Sequence, residues 1–271
     1  MSFQLGDTAA RNVYVGDTPA KGVYLGDTKV WPTTVPPVLY TEGFSVGNIT
    51  GSWGPSFTLE QSSSNAAVTN QTAALKNNAP DGTVVVGRFN QFALGTEDDI
   101  FCDALTWDNS AGTGSNSNQW LKFGLRRAAT LSGKWVEFGC TPAGDFAIWS
   151  CDGASKTQRN TGRDSGVQSG DTLRCVSKAN GWHAIYVLNN STSTPVVQWS
   201  DGALAYANYN NPDYRYLTMS QQYYNALTDY ACYAVSTLQY GNLSLASTGP
   251  MGTDDPVIVP GKGRGKGKGR R

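Results

Sequence analysis

The stretch 119–151, "QWLKFGLRRAATLSGKWVEFGCTPAGDFAIWSC", decides the fold class. It contains three apolar segments, "QWLKFGL", "KWVEFGC" and "DFAIWSC", with "LSG" and "TPAGD" as turns between them. Segments of five to eight residues rich in Val, Ile, Phe and Trp and bounded by Gly, Pro and Asp are antiparallel strands. The same grammar extends both ways. Upstream, "DGTVVVGRF" (81–89) is a turn followed by a buried strand. Downstream come "GDTLRCVS", "WHAIYVLNN", "PVVQWSDG" and "YACYAVSTLQYGNLSL". Many short strands separated by Gly/Asn/Ser/Asp loops predict an all-β sandwich or jelly roll over residues 38–245. Only "TNQTAALKN" (69–77) predicts a short helix.

Composition agrees. The chain of 271 residues carries eight Trp, thirteen Tyr and 31 Gly, with only 15% charged residues. That suits a large core enclosed by polar turns. The formal charge is zero but unevenly placed. Six of the 21 basic residues (Lys262, Arg264, Lys266, Lys268, Arg270 and Arg271) fall in 261–271, leaving 15 against 21 acidic residues over 1–260, a net of −6. Residues 246–271 are therefore expected to be a linker and a disordered, Gly-alternating tail that holds polyanions by charge alone. With no aromatic residues in the tail and an acidic body, sequence-specific nucleic-acid binding is not expected. The N-terminus lacks the apolar stretch of a secretory signal, and no run reaches transmembrane length. The five Cys (102, 140, 151, 175, 232) show no metal-ligand spacing and are expected to be buried thiols. A bridge from Cys140 to Cys151 across their hairpin is the alternative.

The first 31 residues repeat a ten-residue unit. Phe3–Thr8 is answered by Val13–Thr18 and again by Val23–Thr28, each a short strand with a Gly-Asp turn: Gly6-Asp7, Gly16-Asp17 and Gly26-Asp27. No crossover helix fits this period, so a meander or one wall of a multi-chain β-assembly is expected. Such short strands bury little alone. Residues 1–31 thus read as an attachment or oligomerisation segment. Residues 32–37 are a Pro-rich linker.

Two stretches carry resemblances. The pattern V-Y-x-G-D-T followed by V-Y-L-G-D-T-K-V-W-P lies on Val13, Tyr14, Gly16, Asp17, Val23, Tyr24, Gly26, Asp27 and Trp31. It resembles the openings of minor tail proteins of phages that infect actinobacteria, over about an eighth of the chain. The first copy departs from it, with Phe3-Gln4 where V-Y would stand. The stretch 170–201, "GDTLRCVSKANGWHAIYVLNNSTSTPVVQWSD", is similar to the back-sheet hairpins of concanavalin-like lectin/glucanase domains, although its turn at Asn189-Asn190-Ser191 lacks the usual Gly. These resemblances imply a jelly-roll sandwich with a glycan-binding face on a virion protein. The implied partners are other tail proteins and host cell-envelope polysaccharide, in a homo-oligomer with a trimer favoured. The protein would be made in host cytoplasm and would not insert in membranes.

Because glucanases share this fold, catalysis needs testing. The acidic cluster Glu97, Asp98, Asp99 and Asp103 begins in a loop and supplies no alternating third acid at Phe101. The single His183 lacks an evident acidic or nucleophilic partner, so no triad is expected. The chain reads as a non-enzyme. The same cluster offers oxygens to Ca²⁺ but lacks an ordered ligand loop, so no metal or cofactor is expected. Sugar binding asks for aromatic faces among amides and carboxylates. The loop 107–120 offers Trp107, Asp108, Asn109 and Trp120, and the loop 206–216 offers Tyr206, Tyr209, Asn210, Asp213 and Tyr214. The competing reading makes these aromatics inward-facing core residues. The sequence thus points to a tail protein whose lectin-like domain binds envelope glycan. A purely structural tail subunit and a glycan hydrolase are the alternatives.

Overall fold

The computed structural model describes residues 14–15, 18–19, 23–25, 28–31, 37–76, 79–90, 99–109, 113, 118–128, 133–188, 194–206, 216–225 and 229–246. In the repeats, β1 (Tyr14–Val15) pairs antiparallel with β2 (Thr18–Pro19), Val15 opposite Thr18. Likewise β3 (Val23–Leu25) pairs with β4 (Thr28–Trp31), Leu25 opposite Thr28. Each pair closes over two intervening residues, the spacing of a tight hairpin. Among the described residues the hairpins are separate two-stranded sheets. Val13, Gly16, Asp17, Gly26, Asp27 and the whole first copy lie outside the described residues.

The body is the expected antiparallel sandwich. The first sheet contains β7 (Phe57–Gln61), β10 (Val84–Phe89), β12 (Leu121–Arg127), β13 (Lys134–Cys140), β14 (Asp145–Asp152), β15 (Ser155–Arg163), β19 (Tyr216–Asn225) and β20 (Asp229–Ala231). Its order is β15-β14-β13-β12-β19-β10-β7, with β20 paired to β19. The second sheet contains β5 (Leu39–Glu42), β6 (Ile49–Thr50), β8 (Ala66–Thr69), β9 (Thr72–Leu75), β11 (Ile100–Trp107), β16 (Thr172–Ser177), β17 (Trp182–Val187), β18 (Val197–Ser200) and β21 (Ala234–Asn242). Its order is β18-β17-β16-β11-β21-β9-β8-β6, with β5 also paired to β21. Hairpin neighbours lie beside pairings of long sequence separation, β12 with β19 and β11 with β21, which interleave the two halves of the chain.

The core lies between the sheets. Phe123, Phe138, Ile148, Leu217 and Met219 from the first meet Cys102, Ile185, Val187, Leu238 and Tyr240 from the second. Each large apolar side chain buried this way contributes about 1.5–3 kcal/mol. Because side chains alternate along a strand, the intervening residues face outward. This alternation also rules out the Cys140–Cys151 bridge. Cys140 is opposite Phe146 and faces the core, whereas Cys151 is opposite Trp135 and joins the outer Trp135–Trp149 cluster. All five cysteines are buried free thiols.

Two elements depart from expectation. Residues 69–76 are not helical, and Asn77 lies outside the described residues: β8 and β9 form a hairpin in which Asn70 and Gln71 both take positive φ, 51° and 60°. This is the twist a two-residue hairpin turn requires, and pairing overrides the helix propensity of the Ala-Ala-Leu run. The strand β15, "SKTQRNTGR", has no large apolar residue and is exposed along nearly its whole length, so periodicity gives no sign of it. It is held by pairing to β14 and by Asn160, whose Nδ2 donates to the Gln198 carbonyl of β18 at 2.6 Å. Gly162 lets it approach that strand, since a Cβ there would collide with the Val196 carbonyl.

Candidate functional site

A groove of about 420 Å³ lies on the outer face of the first sheet. Outward positions on β12, β13 and β14 build one half. Gly139, in "KWVEFGC", leaves the room: a Cβ there would stand 2.8 Å from Trp149 and 3.0 Å from Trp120. The two indoles therefore settle onto the strand in edge-to-face contact, centroids 4.9 Å apart at 86°. Lys122 Nζ lies over the Trp149 ring at 4.3 Å and over Trp120 at 5.8 Å. It is also 3.5 Å from Glu137 Oε2. From β15, Lys156 Nζ donates to both Glu137 oxygens at 2.8 and 2.9 Å. Burial lowers the Lys122 pKa below the ordinary lysine value; Lys156 lowers it further, and Glu137 partly offsets both.

The other half is a second charge cluster. Glu60 of β7 lies 3.6 Å from Arg88 Nε of β10 and 2.7 Å from Arg127 Nη1 of β12. The latter contact reaches across β19 and β10, which stand between β12 and β7. Arg127 also lies 5.7 Å from the Trp135 ring. Its position follows a bulge between Gly124 and Arg127, where Arg126 takes φ 61°. Between the two clusters the floor carries small and polar side chains, among them Val86, Thr218, Ser220 and Gln222.

This arrangement suits binding. Trp120 is the half-buried aromatic of the groove, ringed by amide, hydroxyl and charged groups. It does not suit a carboxylate pair, which needs about 5 Å for retention or 6.5–9.5 Å for inversion. Glu60 and Glu137 stand four strands apart, about 19 Å between backbones at ordinary strand spacing. Each is drawn to its own cations.

Of the residues singled out from sequence, Trp120 alone among those described lines the groove. Trp107 ends β11 in the other sheet and is 51% exposed, with Asp108 exposed beside it. Asn109 is buried: its Oδ1 accepts from the Leu75 amide at 3.2 Å and its Nδ2 donates to the Cys232 carbonyl at 3.1 Å. The loop 107–120 thus divides between two sheets. Tyr206 packs on Trp199 with centroids 5.9 Å apart, and its backbone amide donates to Asp201. Tyr209, Asn210, Asp213, Tyr214 and the tail residues Lys262, Arg264, Lys266, Lys268, Arg270 and Arg271 lie outside the described residues.

The acidic cluster does not assemble a site among the described residues. Glu97 and Asp98 lie outside them; Asp99 Oδ1 accepts from the Ala179 amide at 2.8 Å. Asp103 is held by Arg174 through two hydrogen bonds of 2.8 and 2.7 Å. Among the described residues, no group of three His, Cys, Asp or Glu could hold a metal ion. His183 does have a partner, Ser177, at 3.0 Å. Arg126 Nε also donates to the Ser177 hydroxyl at 2.7 Å. Both side chains are buried, so this Ser–His pair is structural. Burial and then the Arg126 charge lower the His183 pKa to about 3.

Sequence reading missed Lys122, Arg127, Trp135, Glu137, Trp149 and Lys156. The signal was present as alternation, Trp120-x-Lys122 and Trp135-x-Glu137, but a single strand does not show which face meets the other sheet.

No protein-family model matches the chain, and no curated protein sequence does. Solved structures match it in fold. The VIP36 exoplasmic/lumenal domain in its Ca²⁺/Man2-bound form matches with a TM-score of 0.52 at 10% identity, over 78% of this chain and 89% of that one. The Ca²⁺-bound form gives 0.52 at 9% identity, over 79% and 93%. The metal-free form gives 0.50 at 7%, over 73% and 87%. The fold is that of the concanavalin-like, legume-lectin-like jelly-roll sandwiches.

Proposed function

We propose that this protein is a glycan-binding module that holds a saccharide in the groove on its first sheet. The observation that carries this is Trp120, a partly exposed indole seated on Trp149 and flanked by Lys122 and Glu137. A pyranose stacks its apolar face on such a ring, while Ser220, Gln222 and Lys156 are placed to reach its hydroxyls. The shared fold supports this reading, because VIP36 was solved with a mannose disaccharide bound.

The repeat motif on Val13–Thr18 and Val23–Pro32 places this module, in our reading, on a phage virion as a minor tail protein. There the repeats attach it to other tail proteins or to further copies of itself, with a trimer favoured. The sandwich then meets host envelope polysaccharide, where many weak sites gain strength together. The Lys122–Lys156 and Arg88–Arg127 clusters and the tail add attraction to anionic polymers.

Retention on purified actinobacterial cell-wall polysaccharide tests this. Replacing Trp120 by Ala is expected to weaken retention at least tenfold while thermal unfolding stays within a few degrees. Undiminished retention of a folded Trp120→Ala protein would remove the groove as the site and favour a structural subunit.

A further inference from the structure

The groove's charge points to the class of saccharide it takes. Lys122, Arg127 and Lys156 line it against Glu60 and Glu137, and Arg88 adds a fourth cation at Glu60. This local excess of positive charge stands on a body that is net −6 over residues 1–260. Global charge does not produce it.

Arg127 is the decisive residue. Its side chain is only 1% exposed. Nη1 lies 2.7 Å from Glu60 Oε2, an ion pair bent too far for a good hydrogen bond. Nε and Nη2 reach no acceptor among the described residues. A buried guanidinium whose donors are unmade is costly unless an acceptor from a ligand or solvent meets them. Arg127 lines the groove, and the Nε–Nη2 edge of a guanidinium carries two parallel N–H groups, the geometry that takes both oxygens of a carboxylate side-on. A neutral hydroxyl would satisfy one donor and leave the positive excess uncompensated.

We infer that the groove selects acidic saccharides, with a uronate carboxylate bound to the Nε–Nη2 edge of Arg127 while the neighbouring ring stacks on Trp120. This rests on the glycan-binding reading given above. The sugar's carboxylate completes the Glu60–Arg127 cluster, and Lys122 and Lys156 keep their shared partner Glu137.

The test is binding of the full-length protein to an array of short oligouronates (galacturonate, guluronate and hyaluronan fragments). Beside each stands its carboxyl-reduced neutral counterpart, and sulfated neutral oligosaccharides complete the set. High salt suppresses attraction to the basic tail. The inference expects at least a tenfold preference for one or more uronates over their reduced forms. Arg127→Gln should abolish that preference. Arg127→Lys, which keeps the charge and removes the fork, should bring it within about threefold with little change in unfolding temperature. Equal binding of acidic and reduced forms, or stronger binding of sulfated sugars, overturns the acidic-sugar inference; if Trp120→Ala then abolishes that binding, the groove reading stands without it. A preference unchanged in Arg127→Lys also overturns it. Binding to no member of the array, acidic or neutral, overturns the groove reading and this inference together.

Discussion

His183 shows how a buried residue couples the sandwich to pH. Its side chain stacks on Trp199 with centroids 5.2 Å apart and lies 3.0 Å from the Ser177 hydroxyl, and burial followed by the Arg126 charge keeps it neutral in the folded protein down to a pKa of about 3. In the unfolded chain it takes a proton near pH 6.5. A folded pKa below the unfolded one means stability that is complete above pH 6.5 and is lost as pH falls toward 3. The loss reaches roughly 3 kcal/mol by pH 4. Denaturant midpoints measured at pH 7 and pH 4 check this. A His183→Phe variant is expected to be less sensitive to acid than the parent, whatever its stability at pH 7. Equal sensitivity would show that other groups carry the effect. Residues of this kind are nearly illegible in sequence: a lone His in "GWHAIY" does not reveal that its ladder neighbour is Ser177.

At the scale of elements, the sequence shows strands where apolar side chains alternate and hides them where pairing alone makes them. The strands β12, β13, β14, β16 and β17 all coincide, within two residues at their ends or inside longer runs, with stretches that read as strands from their apolar residues and flanking turns. By contrast β15 has only polar residues and exists because β14 offers it an edge. The short β8–β9 hairpin was obscured by Ala and Leu, whose helix preference is a local property overruled by pairing. The same limit hid most of the groove, since its residues come from seven strands of one sheet. Gly139 is the element-level key to it. Gly139→Val would press against Trp149, Trp120 and Lys122, whose nearest atoms stand 2.8, 3.0 and 3.1 Å from a Cβ at that position. Overpacking of this kind costs about 1–3 kcal/mol. The variant is expected to fold with a lower unfolding temperature and a changed near-ultraviolet tryptophan signal, and to lose glycan retention. A variant that keeps full retention would show that the Trp120–Trp149 arrangement is not what binds.

At the scale of the molecule, an acidic sandwich is flanked by short repeats and a basic tail, and the account assigns separate tasks to each. Binding through the tail depends on counterion release and weakens steeply with salt, whereas stacking in the groove does not. Removing residues 261–271 is therefore expected to flatten the salt dependence of cell-wall retention while leaving the high-salt component intact. The fold class was legible from turns and alternation, and the repeats from self-similarity. Which face carries the site was not, because that depends on how two sheets meet. The measurement that tests the central claim most directly is fluorine NMR of 5-fluorotryptophan-labelled protein titrated with cell-wall polysaccharide. Single Trp→Phe variants assign the Trp120 and Trp107 signals. The account predicts that the Trp120 resonance shifts on binding while that of Trp107, in the other sheet, stays in place. A shift confined to Trp107, or a bound state that leaves Trp120 unmoved, would contradict it.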